Sequence, residues 1–174
     1  MMRRAYPQLS VSTIAVILSF CLAAANAQCS SKNRKIVEDM YMQALSRRPD
    51  SGGLRSYCRN LANGRSVKSQ FMAIVKSREY RQKFVDNCSD FFAAANLYKV
   101  TLNRCPDPNG LLGKVNRIRT RGITNTIDTF FRSREYRRKC GNDRVPNSKP
   151  GRCDGRPADI TGPPGGPNCI GGRL

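Results

Sequence analysis

Apolar residues recur along the chain at spacings of three and four, and no segment alternates as a half-buried strand would. Ile36, Val37, Met40, Tyr41, Ala44 and Leu45 share one predicted helical face, and Phe91, Ala94, Ala95, Tyr98 and Leu102 share another. Leu54, Tyr57, Cys58 and Leu61 mark a following helix, matched later by Leu111, Val115 and Ile118. A third stripe, Val67, Phe71, Ile74 and Val75, is matched by Ile123, Ile127, Phe130 and Phe131. The breaks between stripes carry helix-boundary chemistry. Asp50 and Asp107 stand where a carboxylate caps the free N–H groups of the next turn, and Pro108 suits a first helical position. Asn63-Gly64 and Gly122 end the second helices, and Ser77 and Ser133 each cap a last short turn.

The two sets of stripes are copies of one unit. Y-M-Q-A-L-S-R-R-P-D-S-G-G-L from Tyr41 recurs as Y-K-V-T-L-N-R-C-P-D-P-N-G-L from Tyr98, an offset of 57. S-R-E-Y-R-Q-K from Ser77 recurs as S-R-E-Y-R-R-K from Ser133, an offset of 56. Two matched blocks in one order mean a tandem repeat of about 50 residues whose second copy lacks one residue.

The pattern L-x-R-x-P-D-x-x-G-L, then a glycine, an amphipathic helix and S-x-E-Y, resembles the domain of unknown function 4214. It is also distantly similar to the linker domain of phycobilisome proteins. The resemblance covers about residues 35–84 and 92–140. It implies tandem helical copies and an extracellular setting, and carries no established catalytic residues. Many members have an acidic residue before Pro-Asp. Here Arg48 and Cys105 stand there, which weakens any cation-binding reading of the loop.

The ends of the chain read differently. Arg3 and Arg4, an apolar run from Val11 to Ala25, and Ala25-Asn26-Ala27 have the order of a secretory signal peptide. Residues 1–27 are therefore expected to be cleaved, 28–89 and 90–140 to form helical repeats one and two, and 141–174 to form a tail. The tail holds six prolines and eight glycines and few large apolar residues, a composition expected to stay disordered. The expected fold is all-α: two tandem three-helix repeats packed as one small domain, disulfide-clipped, with a disordered Pro/Gly-rich tail. Signal and cysteines together predict a secreted, extracellular protein with no stable membrane span.

Seven cysteines lie beyond residue 27. If the end of the third helix returns near the start of the second, one clip per repeat results: Cys58–Cys88 and Cys105–Cys140. Each would close a loop of about 30 residues, worth roughly 3–4 kcal/mol in the chain-entropy model. Of Cys29, Cys153 and Cys169, two would then tether the tail, and the third would be available for a disulfide-linked dimer.

Charge names the candidate partner. The whole chain carries +19, and residues 28–174, with 29 basic and 12 acidic residues, carry +17. Such an excess points to polyanions. Basic residues cluster as Lys76, Arg78, Arg81 and Lys83, as Arg117, Arg119 and Arg121, and as Arg132, Arg134, Arg137, Arg138 and Lys139. The expected function is non-enzymatic binding of an anionic polysaccharide or other polyanion through these faces, as a matrix or surface protein. Two other readings share the same charge: an antimicrobial or host-directed factor acting on anionic membranes, and a purely structural protein–protein module.

Enzyme chemistry finds little footing. There is no histidine to activate a serine or cysteine and no phosphate-cradling glycine loop, and the cysteine spacing suits no zinc site. No cofactor, metal or catalytic residue is expected. Glu79 and Glu135 recur in step with Arg47 and Arg104, which predicts a structural Arg–Glu bridge within each repeat rather than an acid–base pair.

Overall fold

The computed structural model describes residues 29–146, which contain seven helices and no strand. The expected signal peptide, residues 1–27, and the expected tail from residue 147 onward lie outside the described residues. The helices are α1 (Ser31–Leu45), α2 (Ser51–Ala62), α3 (Val67–Val75), α4 (Arg78–Phe84), α5 (Asp90–Leu102), α6 (Pro108–Arg132) and α7 (Arg134–Cys140). At Gly122, inside α6, φ is 76° and ψ is 164°, so this element is two helices meeting at a kink. The all-α fold expected from the stripes is the one observed. Repeat one is α1–α4, and repeat two is α5, the two halves of α6, and α7. The turns expected after Ser77 and Ser133 are full seven-residue helices, each capped by the serine Oγ, which accepts from the N–H of Tyr80 or Tyr136.

The conserved spacing between the two copies has a mechanical explanation. In repeat one the Tyr41 ring lies against the start of α2, and a Cβ added to Gly53 would strike the Tyr41 hydroxyl. In repeat two a Cβ on Gly110 would come within 2.6 Å of the Tyr98 hydroxyl. Asp50 Oδ1 accepts from Gly53 N at 2.8 Å, and Asp107 Oδ1 accepts from Gly110 N at 2.7 Å. The Arg47 guanidinium stacks 5.1 Å above the Tyr41 ring centroid and grips Glu79 with two hydrogen bonds, at 2.6 and 2.7 Å. Arg104 stacks 4.9 Å above Tyr98 and grips Glu135 at 2.7 and 2.9 Å. Tyrosine, arginine, Pro-Asp, glycine and glutamate thus form one joint that locks the last helix of a repeat onto its first turn.

The repeats share a core. Phe71 of α3 meets Phe131 of α6 edge-on, with centroids 5.7 Å apart. Gln43 of α1 donates to the carbonyls of Lys99 and Val100 on α5, and Val100 is its own counterpart at the 57-residue offset. Tyr80 of α4 accepts from Asn96 of α5 at 2.9 Å. Lys76 and Asp128 form a half-buried ion pair at 2.6 Å. Beyond α7, Asn142 accepts from Lys68 N at 3.0 Å, and Pro146 is buried.

Neither expected disulfide forms. Cys58 is bonded to Cys29, with Cα atoms 5.4 Å apart, which ties the start of α1 to α2. Cys140 is a free, buried thiol. The expected pairing assumed that each repeat ends with its third helix. The fourth helix moves the chain on before Cys88, and it places Cys140 at the position that Phe84 occupies in repeat one, where it packs in the core. Cys88 and Cys105 are both disulfide-bonded, but not to Cys58 or Cys140.

Candidate anion-binding face

The helices sort the twelve candidate cations into two groups. Six are engaged within the fold. Lys83 Nζ donates to the Leu45 carbonyl at 2.5 Å, and Lys139 Nζ donates to the Leu102 carbonyl at 2.8 Å. These lysines complete the C-termini of α1 and α5, whose last carbonyls lack helical partners. Lys139 also lies 3.0 Å from Glu135. Lys76 is held by Asp128, Arg81 reaches Asp86 at 3.4 Å, and Arg119 reaches Asp90 at 2.9 Å. Arg117 donates to Asn125 Oδ1 at 3.1 Å.

The other six, Arg78, Arg121, Arg132, Arg134, Arg137 and Arg138, are exposed and make no ion pair among the described residues. On α7 the division is sharp. Tyr136 and Cys140 are buried, so Arg134, Arg137 and Arg138, at spacings of three and four, form the outer face. The sequence clusters missed Arg55 and Arg59, both exposed on α2; their i, i+4 spacing was the available signal.

The titratable groups inside the fold are tuned for structure. A hydrogen bond from Arg104, against a smaller opposing effect of burial, lowers the Glu135 carboxyl to about 2. Arg47 lowers Glu79 in the same way. Burial raises the Cys140 thiol to about 11, far from the thiolate a nucleophile needs. Burial also raises Tyr80 and Tyr136, and the Tyr136 hydroxyl has no hydrogen-bond partner among the described residues. Lys114 replaces Tyr57 of repeat one and lies half-buried, 4.4 Å above the Phe130 ring, with its pKa lowered by that burial.

Fold and face together define a helical tandem-repeat protein with an internally braced core and a cationic exterior. Residues 28–149 match the family described as Phycobilisome Linker polypeptide, and the chain belongs to that family. The match bears on the distant phycobilisome-linker resemblance and not on the domain of unknown function 4214. No curated protein matches the chain. The family is structural and non-catalytic. Its members are components of the phycobilisome on the cytoplasmic side of thylakoid membranes, which overturns the expectation of a secreted, extracellular protein. That expectation drew on the apolar run from Val11 to Ala25, outside the described residues, and on cysteine content. No helix among the described residues is long and apolar enough to cross a membrane.

Proposed function

We propose that the chain is a non-catalytic linker that holds an acidic protein partner against the outer face of α7. Arg134, Arg137 and Arg138 make the contact, with Arg132 beside them. The observation that carries this reading is the partition of the cations: lysines and arginines of the same short clusters are engaged by carbonyls, carboxylates or an amide of the fold, whereas these four stay solvated and unpaired among the described residues. Arginine suits the role, because its planar fork meets carboxylates in two parallel hydrogen bonds. Phycobilisome linkers bind phycobiliproteins, which supports a protein partner for this face.

No activity is assigned to Glu79, Glu135 or Cys140, since the carboxylates are spent on arginines within their own repeats and the thiol is buried and protonated. An anionic membrane is poorly served. Among the described residues the large apolar side chains left exposed are Met42 on α1 and Leu112 on α6, which make no continuous apolar stripe.

The same arginines would also attract an anionic polysaccharide, and competition separates the two. Protein bound to immobilised polyglutamate is challenged with free polyglutamate or with heparin at equal charge concentration. The proposal expects polyglutamate to compete at least as well as heparin. Release by heparin alone would transfer the face to a polysaccharide.

A further inference from the structure

The second repeat carries a polar insert that the first lacks. At the repeat offsets Lys114 stands for Tyr57, Arg117 for Asn60, Asn125 for Ser69 and Thr129 for Ala73. These four pair across the two halves of α6. Lys114 Nζ donates to Thr129 Oγ1 at 2.7 Å, and Arg117 Nε donates to Asn125 Oδ1 at 3.1 Å. In repeat one the corresponding positions are uncharged: Tyr57 meets Tyr41 edge-on, and Asn60 donates to Gln70 at 3.1 Å.

Lys114 differs from the bracing lysines in what it touches. Lys76 has the Asp128 carboxylate, and Lys83 and Lys139 have helix-end carbonyls. Lys114 has a neutral hydroxyl, which itself donates to the Thr126 carbonyl at 2.7 Å, and the face of the Phe130 ring. Among the described residues no carboxylate forms an ion pair with it. Asp128, beside Thr129 in sequence, is taken up by Lys76. The other titratable groups around it are Arg117, one turn along its own helix, and Tyr98 of α5, whose ring meets Phe130 edge-on. Burial first, and the Arg117 charge second, favour the uncharged amine. The residue is only half-buried, so a small neutral electrophile can reach it.

We propose that Lys114 is a carbamylation site, where the side-chain amine adds carbon dioxide and Arg117 pairs with the carbamate formed. The ammonium first gives one proton to water. The freed Nζ lone pair then attacks the carbon of carbon dioxide, an N–C bond forms, and one C–O π pair moves onto oxygen. Nitrogen passes a second proton to water, so no oxidant or reductant is needed. Carbon dioxide is uncharged and meets no electrostatic barrier beside the Phe130 ring. The product is a planar carboxylate-like anion, which suits the guanidinium one turn away, and the absence of a carboxylate partner leaves nothing to repel it. The reaction turns a cationic position of α6 into an anionic one. This inference is independent of the arginine face on α7.

The test is carbamate trapping on the full chain. The protein is equilibrated with isotopically labelled carbon dioxide at fixed pressure and several pH values, and any carbamate is fixed by ethylation with an oxonium salt. Peptides are then identified by mass. The Lys114 peptide should carry several-fold more label than those of the exposed lysines Lys32, Lys35 and Lys99, and its label should fall as the pH is lowered and the amine takes up its proton. Label absent from Lys114, or spread evenly over the lysines, would overturn the proposal. As a second measurement, Lys114→Arg should abolish the carbamate carbon signal assigned to this site by magnetic resonance, and Arg117→Gln should reduce it several-fold. An undiminished signal in Arg117→Gln would contradict the pairing, and one that survives Lys114→Arg would place the carbamate elsewhere.

Discussion

Arg104 and Glu135 are 31 residues apart in sequence and face each other fork to fork, Nε to Oε1 and Nη2 to Oε2. Lys139 adds a third contact to the same carboxylate, and Glu135 is less exposed than its repeat-one counterpart Glu79, 24% against 43%. The second joint is thus the more enclosed of the two and carries one more cation.

Glu135→Gln should therefore cost more than Glu79→Gln. At neutral pH the loss at Glu135 should be about 1–2 kcal/mol, reduced from a fully buried bond by solvent screening. Because the folded carboxyl is depressed to about 2 from the usual 4.5, its contribution is complete above pH 4.5 and fades as the pH falls toward 2. Urea unfolding of wild type and variant at pH 7 and pH 2.5 should show the gap narrowing with acid. A gap of equal size at both pH values would remove the ion pair as its cause.

Gly53 is confined by its neighbour rather than by its backbone angles. Gly53→Ala should destabilise by roughly 1–3 kcal/mol, because the new methyl meets the Tyr41 hydroxyl. Combining it with Tyr41→Phe removes the oxygen that is struck, so the double variant should recover part of the loss. Rescue at Gly110 by Tyr98→Phe should be weaker, since a Cβ there would also meet Asp107 Oδ2 at 2.7 Å. Thermal unfolding of the four single and two double variants checks this, and strictly additive losses at Gly53 would refute the collision.

Gly122 and Gly113 lie in the same element and should respond in opposite directions. Gly122→Ala meets no atom within 4 Å but forces an L side chain into φ +76°, at a cost of about 1–2 kcal/mol. Gly113→Ala also enters open space, at a helical position, and should stabilise by up to about 1 kcal/mol. Melting temperatures that move in the same direction for both would contradict the kink.

Much of this fold was legible because its signals are local or doubled. Asp50, Asp107, Ser77 and Ser133 act on N–H groups three residues away, so their capping could be read from spacing alone. Arg47 and Glu79 are distant in sequence, but their shared repetition exposed the pair. Lys83 and Lys139 repeat just as faithfully, yet their repetition names no partner. Their partners are main-chain carbonyls, which every residue carries and no pattern marks. Cysteine pairing was obscured for a related reason. Cys58 and Cys29 meet through the packing of α1 on α2, and no spacing rule encodes that contact.

The division between bracing and free cations is most directly tested by titrating fluorescent polyglutamate into three proteins at several salt concentrations, with unfolding measured in parallel. Arg134→Ser/Arg137→Ser/Arg138→Ser should weaken binding and flatten its dependence on salt, with stability within about 0.5 kcal/mol of wild type. Lys83→Met/Lys139→Met should lose about 1–3 kcal/mol of stability, because two helix ends lose their donors, and bind nearly as wild type. Equal loss of binding in both variants would show that charge alone drives association and that the outer face of α7 has no special role.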